Sequence, residues 1–474
     1  MSRASLTSPS IPAPAEVGRD LGRPGPPAPA SPRRARLIAL TLIGLAILAA
    51  GQYLFDEDLQ AWFEKLPALQ WLRQPLFQRQ GPAIVAVLVG ALLAATALRR
   101  FVPPLEVELA GAPPRPPAPR RRLAWAALAL AVAVTAALVI DILITPFKEY
   151  RPWVLLAAVL LGGGGCALLG RGEPGQRLRV GVADLAWMAA GTAFFIVANA
   201  PTLTDPRFGI IGDEYAFWQV AYSLAAGAPV DLFTQNAVYG VHTSFSSWLQ
   251  ALTMRLFGLD HFGWKMSGVL LGALAIPPTY LTGLWLFGRT TARLAAAVVA
   301  TSHLLFAYAH SGQNNIDSVL PEMLTLCLLV YALRRPSPLA WFLAGAAAGS
   351  SLYFFFGARV AGPLLAAGML ARGWRPLVRG LAPAALGCAI VIAPFVARTQ
   401  AAVVTSMLDQ GVAARESGSL VDAIRTSAIS TAWSHLLFHY TTARSQHFVS
   451  LGFLDPFSAA LSTLGLCVAL LTLR

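Results

Sequence analysis

The chain has 474 residues, of which 56% are hydrophobic and only 12% charged. An ordinary soluble domain holds about 45–50% apolar and about 25% charged residues. The composition therefore excludes a soluble enzyme, a disordered chain and a nucleic-acid binder built on a charged face. What remains is an all-α polytopic membrane protein, because lipid obliges a spanning backbone to satisfy its own hydrogen bonds.

Residues 1–36 are rich in Pro, Ala and Ser, with Arg33, Arg34 and Arg36 at their end. They read as a disordered cytoplasmic tail without the early apolar core of a cleavable signal. Apolar runs of spanning length follow near 37–54, 82–98, 123–144, 153–170, 182–200, 265–287, 294–309, 316–333, 339–356, 360–371, 378–397 and 456–473. At roughly 17–25 residues per span this gives about twelve transmembrane helices, with 360–371 short enough to be tilted, broken or re-entrant. The linker 103–122 holds seven prolines and four arginines and is not expected to be helical. It sets residues 37–180 apart as an N-terminal transmembrane extension. Residues 181–474 then form the core, with two long loops, 201–264 and 398–455.

Lys and Arg total 36 against 23 Asp and Glu, a net charge of +13. The excess gathers in alternate connections: the N-terminal tail, 99–122, 171–180, Arg289 with Arg293, Arg334 with Arg335, and Arg372, Arg375 and Arg379. The intervening connections are mixed or long. By the positive-inside rule the N-terminus is cytoplasmic and the two long loops are exterior, in a cell (inner or plasma) membrane. No nucleic-acid partner is needed to explain the charge. The cysteines Cys166, Cys327, Cys388 and Cys467 lie in apolar runs, without CxxC or Cys/His spacing. The seven histidines show no HExxH or HxH pattern, so no metal site follows from them. Gly162–Gly165 lacks the GKS/T of a phosphate loop and suits close helix packing.

The exterior loop 201–264 carries the most chemistry. Asp213 and Glu214 directly follow Gly212, and Ala216, Phe217, Val220, Ala221 and Leu224 then recur at helical spacing. After a break at Gly227 and Pro229, Phe245, Trp248, Leu249, Leu252 and Leu256 mark a second amphipathic stretch. Two such stretches between spans read as interfacial helices. An acid at a helix start can simply stabilise the macrodipole. It can also be a general base that takes a proton from an attacking hydroxyl. A lipid-phosphate leaving group departs as an anion, so one well-placed acid is enough.

Four stretches carry a family resemblance: GIIGDEYAFWQVAYSL, VYGVHTSFSSWLQALTMRLFG, LLFAYAHSGQNNIDSVLPEMLTLCLLVYALRR and GAAAGSSLYFFFGARVAGPLL. In order and spacing they resemble family 39 and related membrane-embedded glycosyltransferases of the GT-C architecture, which include protein mannosyltransferases and aminoarabinose transferases. The similar region covers about 185–397. The chain departs from the family pattern in placing four spans before residue 182. It also has His242 and Thr243 where prolines are usual. The resemblance implies a glycosyltransferase that moves a hexose or pentose from a polyprenyl-phosphate carrier to a lipid, glycan or protein acceptor. It places Asp213 and Glu214 in the catalytic site. Those two acids could also hold a divalent cation, although no cofactor is demanded.

Gln313, Asn314, Asn315 and Asp317 cluster at the mouth of a span, where a charge is either hydrated or functional. Arg359 stands alone among basic residues on its exterior turn, preceded by Tyr353 in a YFFF cluster. It either snorkels to headgroups or clamps the donor phosphate. Tyr353 and His242 are taken as site-lining. Asp205, Arg207, His242, His310, Arg398, His439 and Arg444 are expected to be plainly solvent-exposed. A transporter or lipid flippase is the alternative class; it calls for repeated halves and polar residues near the bilayer midplane.

Overall fold

The computed structural model describes residues 32–53, 81–98, 118–145, 148–170, 180–205, 214–234, 238, 242–371, 374–399, 461–465 and 467–468. Asp213, most of the tail, most of the Pro/Arg linker and the 400–455 part of the second long loop lie outside these residues. The secondary structure of the described residues is helical, with short turns and links and no strand among them. The helices are α1 (Pro32–Tyr53), α2 (Gly81–Leu98), α3 (Ala118–Ile144), α4 (Arg151–Leu169), α5 (Val182–Asn199), α6 (Glu214–Ala225), α7 (Ser244–Phe257) and α8 (His261–Leu274). They continue as α9 (Ile276–Phe287), α10 (Arg289–Ala300), α11 (His303–His310), α12 (Val319–Arg334), α13 (Pro338–Ser350), α14 (Ala361–Ala371) and α15 (Trp374–Thr399).

Each apolar run named above coincides with helix where its residues are described, and the described residues form an all-α polytopic membrane protein. Among the described residues, seven segments are both long and apolar enough to cross a bilayer: 119–144, 151–169, 182–202, 261–287, 289–310, 314–334 and 380–399. Local chemistry divides several runs. Pro277 and Pro278 lack backbone donors and fit the first turn of a helix, so 261–287 bends at Ala275 into α8 and α9. Run 339–356 yields only the 13 residues of α13. There the Ser350 and Ser351 hydroxyls bond back to the carbonyls of Ala347 and Ala348 at 2.7 and 2.6 Å, and the chain turns into 3₁₀ geometry. The end of the Pro-rich linker is helical after all, because Pro119 occupies the second position of α3, where a missing N–H costs nothing.

The core forms where small residues let backbones meet. The hairpin α3–α4 lies against α13 and α15 and shares with them a cluster including Leu128, Ala158, Phe342 and Ile390. A second cluster, around Phe195, Val269, Ile276 and Tyr280, joins α5 to α8–α11. A third unites α12–α15 around Leu329, Trp341 and Met369. Helices α1 and α2 pack on each other and on Leu464. The tightest seam runs between α13 and α15, where a Cβ on Gly345 would run into the Ala384 carbonyl and one on Gly387 into the Phe342 carbonyl.

One end of the bundle is stapled by charge. Asp184 at the start of α5 accepts from Arg289 Nε at 3.0 Å, Arg289 Nη2 at 3.1 Å, the Tyr280 hydroxyl at 2.8 Å and the Gly181 amide at 2.7 Å. At the far end Asp141 closes the α3–α4 turn by accepting from Thr145, Tyr150 and Arg151. The same carboxylate holds the Tyr150 phenol above its usual pKa range.

The seam makes a clean prediction. Gly345→Ala is expected to destabilise the detergent-solubilised protein by about 1–3 kcal/mol through overpacking. Gly362→Ala, with open space around its Cβ position, should leave the thermal midpoint unchanged or slightly higher. Equal midpoints for the two variants would contradict the interlocked α13–α15 packing.

Candidate functional site

Eight elements meet at the end of the bundle away from Asp184. They are the end of α5, the starts of α6, α7 and α8, the end of α11, the 3₁₀ turn Asn314–Ser318 and the linked turns Ser351–Tyr353 and Phe356–Val360. Glu214 is the first residue of α6, where the helix dipole favours an acid. Its side chain is fully buried, and its charge is felt by the ammonium of Lys265, itself buried on the first turns of α8. Lys265 also interacts electrostatically with His310 at the end of α11. The His310 ring is fixed on both sides: Nδ1 lies 2.7 Å from the Phe306 carbonyl and Nε2 lies 2.8 Å from Thr202 Oγ1. The expected exposure of His310 therefore fails, because three helix ends close over it.

Helix α7 forms the next wall, and it faces the opposite way from its apolar stripe. Ser246, Ser247 and Gln250 are buried, whereas Leu252 and Leu256 point outward. Such an inversion suits a helix bordered by lipid outside and polar groups inside. Gln250 Nε2 donates to the Gly312 carbonyl at 2.7 Å. Gly312 has φ +60°, and Trp264 crowds its Cβ position at 2.4 Å or more, so no larger residue fits this bend. The Ser246 hydroxyl bonds the Asp317 carboxylate.

The residues singled out in the sequence fall as follows. Asp317 and Asn314 are buried on the Asn314–Ser318 turn. Asp317 Oδ2 and both amide atoms of Asn314 have no hydrogen-bond partner among the described residues. Gln313 is buried beside them, and Asn315 is half-buried, its carbonyl accepting from Ser318 Oγ at 2.9 Å. Arg359 is buried on the neighbouring Phe356–Val360 turn, with its Nε likewise unpartnered among the described residues, and it forms no ion pair with Asp317. His242 is sandwiched, edge-on to Phe217 at 4.6 Å and stacked on Phe355 at 5.7 Å. Tyr353 belongs to the packing beneath. Its hydroxyl donates to the Val391 carbonyl at 2.8 Å, and its ring meets Phe233, Phe245 and Phe395.

Sequence reasoning missed Lys265, His310, Gln250 and the paired serines of α7. A signal for Lys265 was present, since a cation inside an apolar run demands a partner. Ser246, Ser247 and Gln250 also share one helical face by spacing. Among the described residues no group of three or more His, Cys, Asp or Glu side chains is placed to hold a metal ion.

Residues 241–398 match the family model of the dolichyl-phosphate-mannose-protein mannosyltransferases. The match falls within the all-α membrane bundle and supports a membrane glycosyltransferase of the kind supplied by polyprenyl-phosphate-linked sugars. The mannosyltransferase likeness spans about a third of the chain and takes in His242, Gln250, Lys265, Asp317 and Arg359. No curated protein matches the chain, and no solved structure does.

The buried charge pair can be tested by a mutant cycle. Lys265→Met strands the Glu214 carboxylate in a low-dielectric interior and is expected to cost about 3–5 kcal/mol. Adding Glu214→Gln should restore most of that stability, measured as the thermal midpoint in detergent. Simple additivity of the two losses would show that the groups do not interact.

Proposed function

We propose that this protein transfers a sugar from a polyprenyl-phosphate carrier to a lipid, glycan or protein acceptor at the exterior face of the cell membrane, with its N-terminus cytoplasmic. Asp213 is the general base. As the acceptor oxygen bonds to the anomeric carbon, its proton passes to the Asp213 carboxylate. The bond from the anomeric carbon to the phosphate oxygen breaks, and its electron pair leaves with the lipid phosphate. Glu214 supports this step from the adjacent position, its charge balanced by Lys265.

Arg359 holds the donor phosphate through its guanidinium, whose planar donor fork suits phosphate oxygens. Asn314, Asn315, Gln313, Asp317 and His242 line the site, and Tyr353 fixes the floor on which they stand. The observation that carries the reading is the gathering of buried, incompletely bonded polar atoms at one end of an apolar bundle, against the buried Glu214–Lys265 pair. Leaving such groups without partners costs about 1–3 kcal/mol each. That cost is expected where a ligand completes the bonding. A transporter would instead gather such groups midway along the helices.

The test is transfer from a panel of polyprenyl-phosphate sugars, mannose included, by purified protein in lipid. Asp213→Asn is expected to lower kcat by roughly 100-fold or more while leaving insertion and thermal midpoint intact. Arg359→Gln should raise the donor KM by about tenfold, the scale of one charge-assisted hydrogen bond. Full activity in the Asp213 variant would remove the base assignment.

A further inference from the structure

We propose that Asp231 is a positioning residue of the transfer site, and that the α3–α4 hairpin, which precedes the family-matched segment, holds that site in register through it. The proposal rests on the transferase reading above. Asp231 lies in the link between α6 and α7 and is the node of an alternating row of charges. Its Oδ2 accepts from Arg398 Nε at 2.9 Å and lies 3.9 Å from Arg151 Nη1. Arg151 is 1% exposed. Its Nε donates to Asp141 Oδ2 at 2.8 Å, and its Nη2 reaches Thr145 Oγ1 at 2.8 Å and the carbonyls of Asp141 and Thr145 at 3.1 Å each. The guanidinium thus caps the end of α3, whose last carbonyls have no helical partners.

Capping explains Asp141 but not Asp231. The second acid comes from the loop that joins the two helices of the site, and the second arginine from the last turn of α15. Two acids and two bases from three distant segments give a neutral row, the arrangement that makes a buried guanidinium tolerable. An apolar cluster lies beneath it, where Leu138 and Ile142 of α3 meet Phe233, Tyr353 and Phe395.

From Asp231 a continuous path runs to the site. Asp231 Oδ1 accepts the Phe233 amide at 3.1 Å, and its carbonyl accepts Thr234 Oγ1 at 3.0 Å. Thr234 Oγ1 lies 2.6 Å from Ser244 Oγ, and its carbonyl accepts the Ser244 amide at 3.0 Å. Ser244 opens α7, and the neighbouring Thr243 hydroxyl donates to the Tyr353 carbonyl at 2.7 Å. One residue before Thr243 stands His242, and two after Ser244 stands Ser246, the partner of Asp317. The row therefore sets where α7 begins, and with it His242, Ser246 and Asp317.

Two readouts test this on the full chain in lipid. Asp231→Ala is expected to lower kcat by about tenfold to a hundredfold, the effect of a small misplacement of reacting groups, with donor KM changed less than threefold. Arg398→Lys keeps the charge and should retain most of the activity, whereas Arg398→Ala should not. The Asp231→Ala, Arg398→Ala double variant should lose no more than the worse single, because both act along one path. Hydrogen exchange gives the second readout: amides across 242–250 should exchange faster in Asp231→Ala, while those of α12 and α13 stay as in the parent. Unchanged exchange across 242–250 overturns the proposal whatever the transfer assay gives. An inert parent protein with the expected exchange pattern would instead count against the transferase reading alone.

Discussion

A carboxylate buried at the first residue of α6 dictates what its neighbours must be. Glu214 has no access to water, and a charge in that position demands compensation within a few ångströms. Lys265 supplies it from the start of α8, at a position that would otherwise belong to an apolar span. His310, in turn, must be anchored by Thr202 and the Phe306 carbonyl to sit near that cation. Three helix ends, of α5, α8 and α11, are thus tied by polar contacts above the apolar cluster that already joins these helices. Lipid surroundings sharpen the effect, since apolar burial between spans gives little net drive when the outside is equally apolar.

Helix positions were legible because spanning runs of this length have few alternatives. The Ala216–Leu224 stripe of α6 was read correctly: Phe217, Ala221 and Leu224 are buried. For α7 the stripe agrees with an interfacial helix: Leu252 and Leu256 turn out and the serine face turns in. Hydrophobic periodicity locates a helix in either solvent; it gives the direction of the face only when the outside is known to be water.

The site was half legible. Asp317, Asn314 and Arg359 drew notice as polar residues against an apolar background, and all three are buried at the same end of the bundle. Tyr353 stands out in the sequence as an aromatic beside Arg359, yet its hydroxyl bonds the Val391 carbonyl in the packing beneath. Lys265, His310 and Gln250 were passed over because their significance is tertiary. Each matters through a partner at least several tens of residues away: Glu214 for Lys265, Thr202 for His310, Gly312 for Gln250. Spacing along one helix does not encode such pairs.

The two ends of the bundle carry polar clusters of opposite character. Around Asp184 both carboxylate oxygens are engaged, by two guanidinium nitrogens, a phenol and a backbone amide. Neither carboxylate oxygen of Asp184 is left open. At the opposite end, Asp317 Oδ2, Gln250 Oε1, Ser247 Oγ and both Asn314 amide atoms are buried without partners among the described residues. These residues are not short of neighbours: Ser246 and Gly312 already bond two of them. A chain able to saturate Asp184 completely could have filled the other end with alanine and leucine at lower cost. Open donors and acceptors kept there, braced by the Asp231 row, are what the proposed site needs and a staple does not.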